Sequence, residues 1–217
     1  MMKKADSEDL NRKNRKRDRV VLDTKYLYEE LLMVRKAPES KQTAPALPEG
    51  FRWAQPYEIS SLKKNWAMLM RELEFPDGDH AEEIFEAMKS ADEDFFIHHL
   101  SAILSPDGKL VSVVGIWPGK HVPQELRVHW MMSSPSYQSQ GFGQMALQKA
   151  MADFDQEFPE KDLYLSTQAQ SWPAIRMYEK NGFIPYTGES REVSSKENEA
   201  RWSRARKQVL EHEGVLI

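Results

Sequence analysis

The stretch YQSQGFGQMAL, residues 137–147, stands between an extended apolar run and a helical one. Glycines at such a junction, here Gly141 and Gly143, let the backbone approach a ligand closely. The free amides of the helix's first turn then point at it with the positive end of the helix dipole. Phosphate is the natural guest. Gly141-x-Gly143-x-x-Ala146 also fits the dinucleotide fingerprint, which needs a tight turn directly after a strand and an acid about 20 residues on for the ribose. Asp162 has roughly that spacing but precedes its strand, and the residues from Ser133 to Gln140 separate the glycines from the preceding apolar run. A backbone phosphate cradle stands; the dinucleotide reading is disfavoured.

Working outward, ELRVHWMMS (125–133) alternates as a strand, with Leu126, Val128, Trp130 and Met132 on one face and Glu125, Arg127, His129, Met131 and Ser133 on the other. One face is core, and the other is available to a site. Beyond Gly143, Leu147, Met151, Phe154 and Phe158 recur at helical intervals. DLYLST then reads as a strand, PAIRMYEKNG as a helix with Gly182 as its C-terminal cap, and FIPY as a short strand. Strand, helix, strand, helix implies a parallel pair inside the sheet.

Upstream, FFIHHLSAIL and KLVSVVGIW read as strands of a hairpin joined by Ser105-Pro106-Asp107-Gly108. His98 and His99 would then point to opposite faces and could not share a metal. Helices are expected over 59–73, 81–89 and 197–212, and FRWAQPYE opens the main domain as a strand. The segment 72–94 is acidic, opposed only by Lys89, and favours a cationic ligand if it borders a pocket. At the start, Leu27, Leu31 and Val34 behind Thr24 predict a helix over 25–35. Three domains of organisation follow: a basic tail with that helix at 1–36, a Pro-rich linker at 37–50, and one domain over 51–217 closed by a C-terminal helix.

Composition bounds the chemistry. The chain has 217 residues, a net charge of -4 and no cysteine. Disulfides, thiolate nucleophiles and Cys-ligated zinc are excluded together, and no metal is expected. No apolar run has the length of a membrane span, and the basic run NRKNRKRDR at 11–19 lacks aromatic interleaving. A cytoplasmic protein with no membrane or nucleic-acid partner is the expectation.

Gln138-Ser139-Gln140-Gly141-Phe142-Gly143 resembles motif A of the GNAT N-acetyltransferase family, and SWPAIRMYEKNGF, 171–183, is similar to its closing motif. The resemblance covers about 51–186 and, with the terminal Arg201-Trp202 helix, suggests a small-molecule-type subgroup. It implies a central mixed, mostly antiparallel sheet flanked by helices (α+β, α/β mixed) and direct acetyl transfer from acetyl-CoA to a primary amine.

By the same resemblance, the amides of Gln138, Ser139, Gln140, Gly141, Phe142, Gly143 and Gln144 would hold the pyrophosphate. The backbone of Met131, Met132 and Ser133 would pair with the pantetheine arm, and Ser171 stands where the family has asparagine. An amide near Ser133 would stabilise an oxyanion, a contribution typically of ~3 kcal/mol. Tyr178 would protonate the departing thiolate. The family's strand glutamate is replaced by Arg127, leaving His129 or Glu125 as base. A seventh strand is implied too, but TGESREVSSKENEA offers none. The expected partner is a small-molecule amine, cationic if the acidic segment borders the entrance, with a homodimer left open. A non-catalytic CoA-binding module and a protein N-acetyltransferase are the competing readings.

Overall fold

A computed structural model describes residues 23–38, 42–73, 77–122, 125–191 and 193–210. The apolar and alternating runs assemble into one seven-stranded sheet. Its strands are β1 (Glu30–Arg35), β2 (Arg52–Trp53), β3 (Leu100–Leu104), β4 (Leu110–Pro118), β5 (Leu126–Ser133), β6 (Leu163–Gln168) and β7 (Ile184–Pro185). The spatial order is β2-β3-β4-β5-β6-β1-β7. Only the β5–β6 pair is parallel. Among the described residues the longer helices that flank the sheet are α1 (Lys63–Glu72), α2 (Ala81–Ala91), α3 (Glu93–His98), α4 (Phe142–Glu157), α5 (Trp172–Lys180) and α6 (Ser195–Ala205), and a single helical turn stands at Pro56–Ile59. The sheet is mixed and mostly antiparallel, as expected. Among the described residues no helix is long and apolar enough to cross a membrane.

The crossovers β5-α4-β6 and β6-α5-β7 both step in the same direction across the sheet, so right-handed connections put α4 and α5 on one face. Their core joins Leu126, Val128, Leu147, Phe154, Leu165 and Ile175. The opposite face is covered by α1–α3, where Trp66, Phe85, Phe96 and Met132 share a second core. Trp66 meets Phe85 and Trp130 edge to face at 5.6 and 5.7 Å.

The N-terminal segment corrects two expectations at once. Glu30–Arg35 is not helical: it is a strand, paired antiparallel with β6 on one side and β7 on the other. Leu31, Leu32, Met33 and Val34 are all buried, while Leu27, the first residue of the expected helical stripe, is 74% exposed. A run buried on both faces of a sheet is uniformly apolar and carries no period that separates it from a helix. The strand missing from the polar segment 187–200 is thus supplied by the chain's other end. It is held from both faces. Arg35 makes a buried bidentate pair with Asp155 of α4 at 2.8 and 2.7 Å. Trp202 of α6 donates its indole N–H to the Leu32 carbonyl, Arg201 bonds Glu30, and Arg204 grips Glu29.

A further correction concerns FFIHH, which is helical. Asp92 caps α3 by accepting from the Phe95 amide, and Phe96 packs edge to face on Phe85. His98 and His99 therefore sit at a helix end. His98 is exposed beside Asp94, and His99 stacks on Phe95 and contacts Glu157 at 3.1 Å. The basic cluster 11–19, Glu74 and the end of the expected last helix, 211–212, lie outside the described residues.

Candidate active site

The turn before α4 adopts the conformation its glycine permits. Gly141 sits at φ 87° as the residue preceding the helix, and Ser139 is also left-handed at φ 59°. Such alternation turns successive N–H groups toward one side, an anion-binding concavity. The first well-formed helical bond is Met145 N–H to the Gly141 carbonyl at 2.9 Å. Among the described residues, no backbone or side-chain acceptor takes a well-formed bond from the amides of Gln138 to Gln144. Ser139, Gln140 and Gly141 are exposed, at the tip of the turn. The residues fit a pyrophosphate: a run of free amides on the N-terminus of a sixteen-residue helix is what such a group needs. Gly143 has a different task. A Cβ there would stand 2.9 Å from Ser133 Oγ and 3.2 Å from Met131 Cε, so glycine lets α4 lie close against β5.

Beside the cradle, β5 and β6 part. Their pairing ends at Val128 opposite Leu165, although the strands run on to Ser133 and Gln168. From His129 onward, the β6-facing edge of β5 has no strand partner among the described residues, leaving a V-shaped opening between the two faces of the sheet. A bulge stands at its mouth. His129 pairs with Gly115 and Met132 with Val113, so Trp130 and Met131 together oppose Val114. Trp130 takes φ 49° to accommodate this. The extra residue breaks the expected alternation, because a bulge shifts the side-chain phase by one. Leu126 and Val128 face α4, but Trp130 and Met132 turn to α1 and α2, and Met131 and Ser133 turn to α4. His129 therefore does not share a face with Met131 and Ser133.

Tyr178 lies on α5 in the α4-side core, 8% exposed, its ring 5.9 Å from that of Phe183. Burial pushes its phenol up to about 12. Ser171 is buried at the start of α5, and its Oγ accepts from the Gln168 side chain at 3.0 Å. The segment 23–29 is laid along the same corner: Gln170 bonds the Tyr26 carbonyl and Trp172 reaches Asp23.

The two base candidates fare differently. His129 is held neutral: burial, then the charges of Arg127 and Lys120, push it down to about 3. Its Nε2 lies 3.4 Å from Arg127 Nη2, which donates to it. A base so depressed is weak at neutral pH. Glu125 stands at the start of β5, eight residues before Ser133, about 26 Å along an extended strand. Its carboxyl is raised by burial and then by Asp162, and Oε2 is buried without a partner. The structure does not bring it to the cradle.

A polar group on the α1–α3 face escaped the sequence reading. Ser166 donates to Glu30, whose other oxygen takes Arg201, and His121 lies 3.8 Å from Glu30. Tyr164 Oη accepts the His121 amide N–H. These residues come from β1, the β4–β5 loop, β6 and α6, so no local pattern unites them. The signal at hand was the alternation of Tyr164, Ser166 and Gln168 with Leu163, Leu165 and Thr167. The acidic stretch is partly neutralised by α1, with Lys63 at 2.9 Å from Glu86 and Arg71 at 4.0 Å from Glu82.

The family model described as "Acetyltransferase (GNAT) family" matches residues 62–183. No curated protein matches. A GCN5-related N-acetyltransferase from Sphaerobacter thermophilus superposes with TM-score 0.58 at 14% identity, over 74% of this chain and 49% of that one. A tandem GNAT protein from the clavulanic acid biosynthesis pathway gives 0.55 at 12%, over 74% and 51%. A GNAT-family acetyltransferase from Colwellia psychrerythraea gives 0.52 at 11%, over 74% and 53%. The chain spans about half the length of these structures, and at such identities the likeness is one of fold. With more than half of its length matched by the family model, and with the splayed strands and glycine turn already described, the chain belongs to the GNAT acetyltransferase family.

Proposed function

We propose that the protein is an acetyl-CoA-dependent N-acetyltransferase acting on the primary amine of a small molecule. The observation that carries this reading is the row of unpaired amides from Gln138 to Gln144 at the head of α4. They would hold the pyrophosphate, and the open edge of β5 at Met131, Met132 and Ser133 would pair with the amide-bearing arm. Ser171, already bonded to Gln168, shapes the corner where the arm passes. The bound co-substrate supplies an acetyl thioester, from which the amine nitrogen displaces the thiolate: a C–N bond forms, the C–S bond breaks, and one net proton is released.

The chain's own groups then manage protons and water. Tyr178 is fully protonated at any working pH and donates a hydrogen bond to the departing sulfur. Its pKa of about 12 lies above an ordinary thiol near 8.5, so it steadies the thiolate more than it surrenders its proton. The ammonium of the acceptor loses its proton to water in the open V, since His129 is a weak base and Glu125 is distant. Release of CoA thiol with a panel of amines tests the reading. Tyr178→Phe should lower kcat by about 10²-fold and leave acetyl-CoA affinity unchanged. Tight acetyl-CoA binding with no thiol release from any amine would leave a binding module and end the enzyme reading.

A further inference from the structure

Among the described residues Arg127 is a charge without a counter-ion. It stands on the α1–α3 face of β5, one residue before the last β5–β6 pair, with neutral cross-strand neighbours in Trp117 and Tyr164. Among the described residues no carboxylate lies within ion-pair distance of its guanidinium. Its polar contact is the 3.4 Å approach to His129 Nε2, and its Nε is buried without a partner. An arginine presents five donors in a fixed fork that matches a carboxylate. Leaving such a cation half-buried and unpaired costs stability, which a structural role does not offset. Lys120, on the loop that follows β4, adds positive potential over the same spot, since it is one of the two cations that depress His129.

Position supplies the second argument. The cradle, Met131 and Ser133 approach the V from the α4 face, whereas Arg127 and His129 lie on the other face just before the strands part. A molecule entering from that second face meets the guanidinium within a few residues of the opening, at about 3.3 Å of strand per residue.

We propose that the amine acceptor carries an anionic group, a carboxylate or phosphate, and that Arg127 binds it. This rests on the acetyltransferase reading for the identity of the second substrate, but the anion site itself does not. It also reverses the expectation of a purely cationic acceptor: the ligand is zwitterionic, its ammonium directed to the V and its anion to Arg127.

The test uses the full chain and matched amines differing in one charge: glycine against glycinamide, 4-aminobutyrate against its amide, and phosphoethanolamine against ethanolamine. Binding is followed by thermal shift with CoA present, and turnover by thiol release with acetyl-CoA. Anionic members should stabilise the wild type and be acetylated with at least tenfold higher kcat/KM than their neutral partners. The carboxylate and phosphate pairs identify which anion is preferred. Arg127→Gln should erase that preference through KM, lowering kcat/KM for the anionic members far more than for their neutral partners, and melt no lower than the wild type, and Arg127→Lys should restore part of it. Equal handling of charged and neutral partners, or equal losses on both in Arg127→Gln, overturns the proposal. Arg127-dependent binding of anionic members without any turnover would uphold the site and sink the acetyltransferase reading. Absence of such binding sinks the site whatever the turnover.

Discussion

The turn at Gln138–Gly143 and the strand at Glu30–Arg35 belong to the same sheet and are held in opposite ways. The turn leaves its amides unpaired and its tip in solvent, whereas the strand is paired along both edges and buried from Leu31 to Val34. Donors already bonded to protein cannot bind a ligand, and a backbone with no bonds cannot hold a sheet together. The two demands fall on separate segments. Damage to the strand should therefore appear as lost stability, and damage to the turn as lost binding.

The sharpest way to break that division is at Asp155. Its carboxylate is 1% exposed and shares two hydrogen bonds with Arg35, whose side chain is 5% exposed. Asp155→Ala leaves the arginine charged and buried with nothing to neutralise it. The expected loss is about 3–5 kcal/mol, read by urea unfolding. Acetyl-CoA affinity of the folded fraction should be unchanged. A loss below 1 kcal/mol would mean that the strand is not anchored through α4.

Substitutions in the turn should weaken binding, with a smaller loss of stability than Asp155→Ala. Gly141→Ala forces a side chain to φ 87°, which costs about 1–2 kcal/mol and reduces melting by about 2–4 °C for each kcal/mol. Gly143→Ala drives a Cβ to 2.9 Å from Ser133 Oγ and pushes α4 off β5. Calorimetric titration should find acetyl-CoA binding about tenfold weaker in each. Unchanged affinity in both would dissociate the turn from the cofactor.

The same contrast explains what could be read in the chain before folding. The turn's meaning is local: a glycine that permits a left-handed step, a helix behind it and a strand ahead lie within a few residues, and the tyrosine-bearing helix follows at a fixed separation. The strand's meaning is not local. Its partners are residues 163–168 and 184–185, more than a hundred positions away, and a segment buried on both faces shows no alternation. Leu27, Leu31 and Val34 mimic a helical stripe by coincidence. The phase error in β5 has another cause: Trp130 occupies a bulge, and the extra residue appears in no alternation pattern. That His129 lies on the face opposite Leu126 and Val128 was legible in the alternation, but its titration was not, because burial and Arg127 act on it only in the fold.

That last point makes the most specific prediction, one that vanishes at neutral pH, since it concerns a group beside the opening whose charged form the fold disfavours. In the folded chain His129 is pushed down to about 3, from an ordinary value of 6.5. Between those values the unfolded chain binds a proton that the folded chain refuses, so stability rises with pH and is lost as pH falls from about 6.5 toward 3. Above 6.5 the histidine contributes no pH dependence. His129→Gln, which cannot take the proton in either state, should flatten the fall in unfolding free energy across that window and leave the plateau above pH 7 within about 1 kcal/mol of wild type. Arg127→Gln should flatten it in part, by removing the second-largest cause of the depression. If the pH slope of the His129 variant matches wild type, the imidazole is not held neutral, and the positive field assigned to this side of the sheet is wrong.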